Sequence, residues 1–402
     1  MGAVEHLKTL CCLGLPPESA MIAVTPLLHE IIPHGWTRMA LVEPDATLSH
    51  GYTENPAMAF HLDRFLELLH DPTNIIGSIY LPNFKSVGIG WALHRQGRGW
   101  LDSDWYREVE APVDSCWWLE AMIGDGARSI ASVHLTRPRS ARAFTADDVQ
   151  KLDPLRPWLA HAFRRSLPES GPQDLVRASV TGRPVLSGQM ILTADAKAIY
   201  QTRDTRHLLT YIDQRTIEAW YRSSDRDRQP APVLKLLQAI VGAANGTSNT
   251  PPRMRISTAY GVVTLEAKWL LLSGTLPEDA ARDPKACLIA MTIELHEHAI
   301  AHAARVLRES GATPVQTKVG IQLAFGKTKP SIADELGIQL LGRGSHKKAL
   351  SESRHSQFRR ASHKNLAGPE TRRGPPIFAA RRISFSGTFV SRPLPPSLPV
   401  AT

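Results

Sequence analysis

The sequence predicts an α+β protein made of two mixed modules, a connector helix, a small all-α unit and a basic tail. Three observations predict it. An alternating apolar run, Trp117–Ile123, is joined by Gly124-Asp125-Gly126 to a second run, Ser129–Leu135, which is the signal of a β-hairpin. Strand-like runs recur between 188 and 294 around two helical stretches. Last, Thr313–Ile338 reads as two short helices about a glycine turn.

The first module is expected over 1–165. Thr37–Glu43 is a strand-like run closed by Asp45, and Pro56–His70 carries Met58, Phe60, Leu62, Phe65, Leu68 and Leu69 near helical spacing. After the hairpin, Phe144-Thr145-Ala146-Asp147-Asp148 offers a capping box, with Thr145 as the cap and Asp148 three residues on. The helix it starts carries Val149, Leu152, Leu155, Leu159 and Phe163, with bends expected at Pro154 and Pro157. Ser166–Gln173 reads as a linker.

The second module is expected over 174–294. Gly188–Ala194 and Ile199-Tyr200 read as strands, Arg206–Arg222 and Val233–Ala244 as helical. Met254–Thr258, Gly261–Leu272 and Ala286–Glu294 read as further strands. A connector helix is expected over 295–312, the helical unit over 313–346, and a Pro/Ser-rich, disordered tail over 347–402.

Composition bounds the function classes. Hydrophobic residues make up 43% and charged residues 21%, which is enough apolar material for real cores. No apolar run has the length of a membrane span, and the short patch Leu10–Leu15 lacks a signal-peptide context, so a cytoplasmic protein without membrane contact is expected. The four cysteines (Cys11, Cys12, Cys116, Cys287) have no C-x-x-C spacing and read as reduced thiols. The net charge of +9 is uneven: 12 of 47 basic and 2 of 38 acidic residues lie beyond Ile338, leaving 35 basic and 36 acidic before it. The basicity therefore belongs to the tail.

Few residues offer chemistry. His296, Glu297, His298 and His302 resemble a metal cluster, but Ile300 breaks the H-E-x-x-H order, so they read as a solvated face of the connector helix. Trp91, Trp105, Trp117 and Trp118 are the candidate ligand-contacting aromatics of the first module, weighed against ordinary core packing. The glycines at 88–90 and 97–99 are not phosphate loops. No Ser/His/Asp elbow and no carboxylate pair is legible, so no enzyme and no cofactor are expected.

In the helical unit, Thr313 can cap, Pro314 suits the first turn, and Val319 and Leu323 are expected to face Ile332 and Leu336. The pattern formed by Thr313, Pro314, Val319, Ala324, Gly326, Ile332, Ala333, Leu336 and Ile338 resembles the LuxR-type helix-turn-helix output domain. Gln316, Pro330 and Ser331 depart from that pattern. The hairpin, Phe-Thr-x-x-Asp and long helix of the first module resemble the ending of GAF-like sensor domains. The order of elements in the second resembles a PAS-type fold.

These resemblances imply a small-molecule-sensing transcriptional regulator that binds double-stranded DNA as a homodimer. They place Lys327, Thr328 and Lys329 near phosphates, with Arg343, Lys347 and Lys348 adding basic contacts from the following segment. That segment does not continue the pattern. Gln339, Gly342, Arg343 and His346 stand where the reading helix should run, and Gly342 with Gly344 costs a helix about 2 kcal/mol. A frameshift near codon 340 and a divergent, phosphate-clamping tail both account for the change. The competing expectation is a sensor or interaction protein whose DNA-binding unit is truncated.

Overall fold

The computed structural model describes residues 2–45, 47–71, 73–74, 100–124, 128–164, 184–213, 215–223, 228–244, 247, 252–270, 288–324 and 326–337. Trp91, Arg343, Lys347, Lys348, Cys287, the expected linker and the basic tail all lie outside these residues.

The chain starts with two helices that the apolar pattern had not marked, α1 (Ala3–Cys11) and α2 (Pro17–Ile31). Pro17 opens α2, where a missing N–H is harmless, and Ala20, Met21, Val24, Leu27 and Leu28 recur on its buried face. Strands β1 (Trp36–Val42) and β2 (Leu48–Thr53) follow. The expected helix at 56–70 is divided: a 3-10 turn, Pro56–Phe60, is capped by the Asn55 side chain, and α3 (Leu62–His70) comes after it.

The hairpin forms as read, from β3 (Trp117–Gly124) and β4 (Ser129–Arg137), and β4 is buried throughout. The Thr145/Asp148 capping box also forms and starts α4 (Ala146–Leu152). The prolines turn the chain through 3-10 geometry at Asp153–Leu155 into α5 (Arg156–Phe163). The first sheet is antiparallel, in the order β2-β1-β4-β3.

The second sheet is antiparallel with the order β6-β5-β9-β8-β7. It comprises β5 (Leu186–Thr193), β6 (Ala198–Gln201), β7 (Arg253–Thr258), β8 (Gly261–Leu270) and β9 (Leu288–His296). Three helices stand between β6 and β7: α6 (Arg203–Asp213), α7 (Ile217–Arg222) and α8 (Ala231–Ala244). At Gly188 any Cβ would press on the Thr205 backbone, so the glycine lets α6 start directly against β5.

Helix α9 (Ala299–Glu309) leads to α10 (Pro314–Ala324) and α11 (Lys329–Leu336). The helix pair is built as its caps predict. Thr313 and Gln316 exchange bonds, the Thr313 N–H donating to Gln316 Oε1 (2.8 Å) and the Gln316 N–H to Thr313 Oγ1 (3.3 Å). Gln316 thus closes the capping box. Gly326 takes φ +82° in the turn, and Gly337 ends α11 in the left-handed region at φ +61°.

One apolar cluster runs from Leu7 of α1 to Ala301 of α9 and includes residues of both sheets. Among these are Met39, Leu119, Ala121, Val133 and Leu135 from the first sheet, and Met190, Leu265 and Met291 from the second. A separate cluster lies on the other face of the first sheet, where Trp36, Trp100, Trp105 and Trp118 pack with Met58, Leu66 and Met122.

Candidate functional site

Strand alternation sends Arg38, His134 and Glu120 to the same face of the first sheet, and the register lines them up. Thr53 pairs with Arg38, Arg38 with His134, and His134 with Glu120, a polar row that crosses all four strands. The neighbouring row on one side holds Trp36, Thr136 and Trp118. That on the other holds Gly51, Ala40, Ser132 and Met122. The row is buried: Arg38 is 8% exposed and Glu120 and His134 less.

Burying a guanidinium is costly unless it is paired, and Arg38 has a pair. Its Nη1 donates to Glu110 Oε1 at 3.2 Å, and Trp105 Nε1 donates to the same oxygen, also at 3.2 Å. Glu110 is fully buried. The guanidinium lies 5.3 Å from the Phe65 ring centroid, 5.8 Å from Trp118 and 5.9 Å from Trp36, within cation–π range of all three. Arg38 Nη2, Glu110 Oε2 and Ser132 Oγ are buried with no hydrogen-bond partner among the described residues. Burial, and then the charge of Arg38, hold His134 well below the ordinary histidine range, so it is neutral.

Arg38, Ser132 and His134 open onto a cavity of about 110 Å³. Its walls come from both modules. Met58, Leu62 and Phe65 line it from the first, and His207, Ile217 and Tyr260 from the second. Burial pulls the His207 imidazole down to about 4. Its Nε2 is 2.6 Å from the Tyr211 hydroxyl, while Nδ1 is buried without a partner among the described residues.

The walls are clasped together. Tyr260 Oη donates to the Gly51 carbonyl (3.0 Å), Ser19 Oγ to the Ala259 carbonyl (2.6 Å), and His70 Nε2 lies 2.9 Å from Glu218. A second cavity, also about 110 Å³, lies among α1, α2, α9 and α10, beside Glu297, Arg305 and Thr317.

Of the tryptophans expected to contact a ligand, Trp105, Trp117 and Trp118 are described, and none of the three lines this cavity. Trp105 and Trp118 stand behind Arg38 and are not among the residues lining the cavity. Trp117 points to the other face of the sheet and donates from Nε1 to the Ala141 carbonyl at 3.0 Å. The residues that do line it, Arg38, Ser132 and His207, were missed. Arg38 was legible only as a charge within the apolar run TRMALVE.

The histidine cluster differs from its solvated reading. His296, His298 and His302 are all buried. Strand β9 continues to His296, so His298 is the N-cap of α9 and its Nδ1 accepts from the Ile300 N–H. Glu297 Oε1 gathers His302 Nδ1 (3.0 Å) and Arg305 (2.6 and 2.9 Å) into an internal ion cluster. A different trio, His29, His34 and Glu54, brings its donor atoms within 4.8 Å of one another. Those atoms are already engaged. His29 bonds Glu54 at 2.8 Å, and His34 bonds the Ile32 carbonyl and the Thr37 hydroxyl.

In the helix pair, α10 buries Thr317, Gly320 and Ile321 rather than Val319 and Leu323. Ile321 packs with Ala304, Leu307 and Ala312, so the face is chosen by α9. Leu323 is 38% and Val315 56% exposed. Lys327 Nζ is held by Glu335 Oε2 at 2.6 Å, Thr328 caps α11, and Lys329 is its first residue.

No family model matches the chain, and no curated protein matches it. A solved structure, the sensor region of a sensor histidine kinase, aligns at 12% identity over 69% of this chain and 90% of that one. The TM-score is 0.18, too low to argue a shared fold. Among the described residues, no helix is long and apolar enough to cross a membrane.

Proposed function

We propose that this chain is a ligand-responsive regulator: a sensor body that holds a small molecule between its two sheet modules and passes its state through α9 to the helix pair. One observation carries this reading, the seam cavity floored by a buried Arg38 whose Nη2 has no hydrogen-bond partner among the described residues. Buried polar groups are normally satisfied, and an apolar cavity with a few such groups is the form a small-molecule site takes. The GAF- and PAS-like readings belong to this proposal. They are supported by two antiparallel sheets, the second interrupted by helices between its second and third strands. The reading gives the chain no catalytic step.

In the same proposal the helix pair is the start of a LuxR-like output unit acting on duplex DNA, with dimers matching paired half-sites. Support comes from the caps, the Gly326 turn and the Gly337 stop. Binding is then salt-steep, since phosphate contacts release counterions. A titration of the full chain against duplex DNA at several salt concentrations tests it. Binding that neither falls with salt nor prefers any sequence removes DNA from the account.

Two observations favour a second reading, a sensor without base readout. Val315 and Leu323 are exposed on α10, and Lys327 Nζ pairs with Glu335. Under it, the chain responds to ligand with no DNA affinity beyond that of its basic tail.

A further inference from the structure

We infer that the ligand of the seam cavity is a monocarboxylate with an apolar body, its carboxylate seated on Arg38 and Ser132. The inference rests on the sensing proposal and goes beyond it by naming the chemical class.

The polar atoms left without partners set the class. Arg38 Nη2 can only donate, and Ser132 Oγ can donate. Donors gathered on one cavity call for an acceptor. The strands fix their spacing: Ala40 pairs with Ser132, and Arg38 with His134, so Ser132 and Arg38 sit diagonally across one face of adjacent strands. That diagonal is roughly 7 Å between residue positions, so both side chains rise from one face as near neighbours.

Charge narrows the choice further. Arg38 is the cation on the cavity floor, and its other edge is occupied by Glu110. Arg215, the second cation on the wall, is held along its Nε/Nη2 edge by Asp213 (2.5 and 2.6 Å). His50 lies 3.7 Å from Glu18, and His134, beside Arg38, is neutral and 3.7 Å from Glu120. One unsatisfied guanidinium edge suits one negative charge. A phosphate dianion would need a second free cation, and none stands among the described lining residues. The remaining wall, with Met58, Leu62, Phe65, Ile217 and Tyr260, is apolar or aromatic and suits a hydrocarbon or aryl body.

The test uses the full chain and matched probes: phenylacetate against phenylacetamide, and hexanoate against hexanamide, titrated by tryptophan fluorescence and calorimetry. The carboxylates are expected to bind at least about tenfold more tightly than their amides, because charge-assisted bonds are the stronger. The variant Arg38→Gln/Glu110→Gln removes both charges without leaving an orphan, and the preference should fall below about twofold. Ser132→Ala removes one donor and should weaken the carboxylates by about threefold to tenfold.

Amides that bind as well as carboxylates overturn the inference and leave the sensing site standing. A carboxylate preference that survives in the double variant overturns it as well, since the anion then sits elsewhere. If neither class binds, this inference and the sensing proposal fail together. Should the double variant lack a cooperative unfolding transition, Ser132→Ala decides, and unchanged carboxylate affinity there counts against the inference.

Discussion

Arg38 and His134 face each other across the β1–β4 ladder, and the charge of the first helps to keep the second neutral. A buried cation thus sits in the centre of a sheet with Glu110 as its counter-ion and three aromatic rings around it. This arrangement governs both stability and the proposed ligand site.

Arg38→Ala is expected to destabilise the protein by about 3–5 kcal/mol, because it leaves the carboxylate of Glu110 buried without its counter-ion. Arg38→Met/Glu110→Leu should recover most of that loss. Urea unfolding of the two variants makes the comparison, and a double variant as unstable as the sum of its singles would contradict the pairing.

Stability should decline as the solution is acidified from pH 7 to 4. His34 and His207 have folded values of about 4, both lowered chiefly by burial, against about 6.5 unfolded. In that window the unfolded chain binds the extra protons, so stability is full above about pH 6.5 and is lost as pH falls toward 4. Each histidine contributes a slope of about 1.4 kcal/mol per pH unit. In Glu54 and Glu297 burial raises the value, but the bonds and charges of His29 and Thr37, and of His302 and Arg305, outweigh it, so both lie below the ordinary carboxylate range and add to the loss there. A denaturation midpoint that stays flat between pH 7 and 4.5 would refute this.

The Thr145 cap is expected to contribute about 1 kcal/mol, and Asp148 more. Asp148 accepts from the Thr145 N–H and from Arg137, itself buried with Asp148 at 3.2 Å. Thr145→Ala should therefore be the milder change and Asp148→Ala the harsher by at least about 1 kcal/mol, as read by thermal or urea unfolding. Equal effects would mean that Arg137 does not depend on Asp148.

Gly261 has φ +141°, and a Cβ there would run into the His296 carbonyl. Gly261→Ala should destabilise by about 2 kcal/mol or more, since both the backbone region and the space exclude a side chain. A wild-type unfolding midpoint would show that the β8–β9 register can shift.

The parts of the fold that were legible were those whose cause is local. The Asp-Gly hairpin, the Thr145/Asp148 box, the Thr313 cap and the Gly326 turn each depend on residues within a few positions of one another. The histidines at 296, 298 and 302 were misjudged because their burial depends on packing that their spacing does not record. Arg38 was passed over for a related reason. A charge at an alternate position of a strand reads as solvent-facing, and what covers it includes Phe65, Trp105 and Glu110, remote in sequence. The tryptophans were noticed for their number. Trp105 and Trp118 lie behind the arginine, and no spacing rule carries that information.

The seam makes the most direct test. The account predicts that phenylacetate slows backbone hydrogen exchange on both walls together, in β2 (Leu48–Thr53) and in the α6–α7 segment (Arg203–Arg222), because both border the cavity. Protection confined to one wall, or no change at either under saturating probe, would contradict a ligand site shared between the two modules.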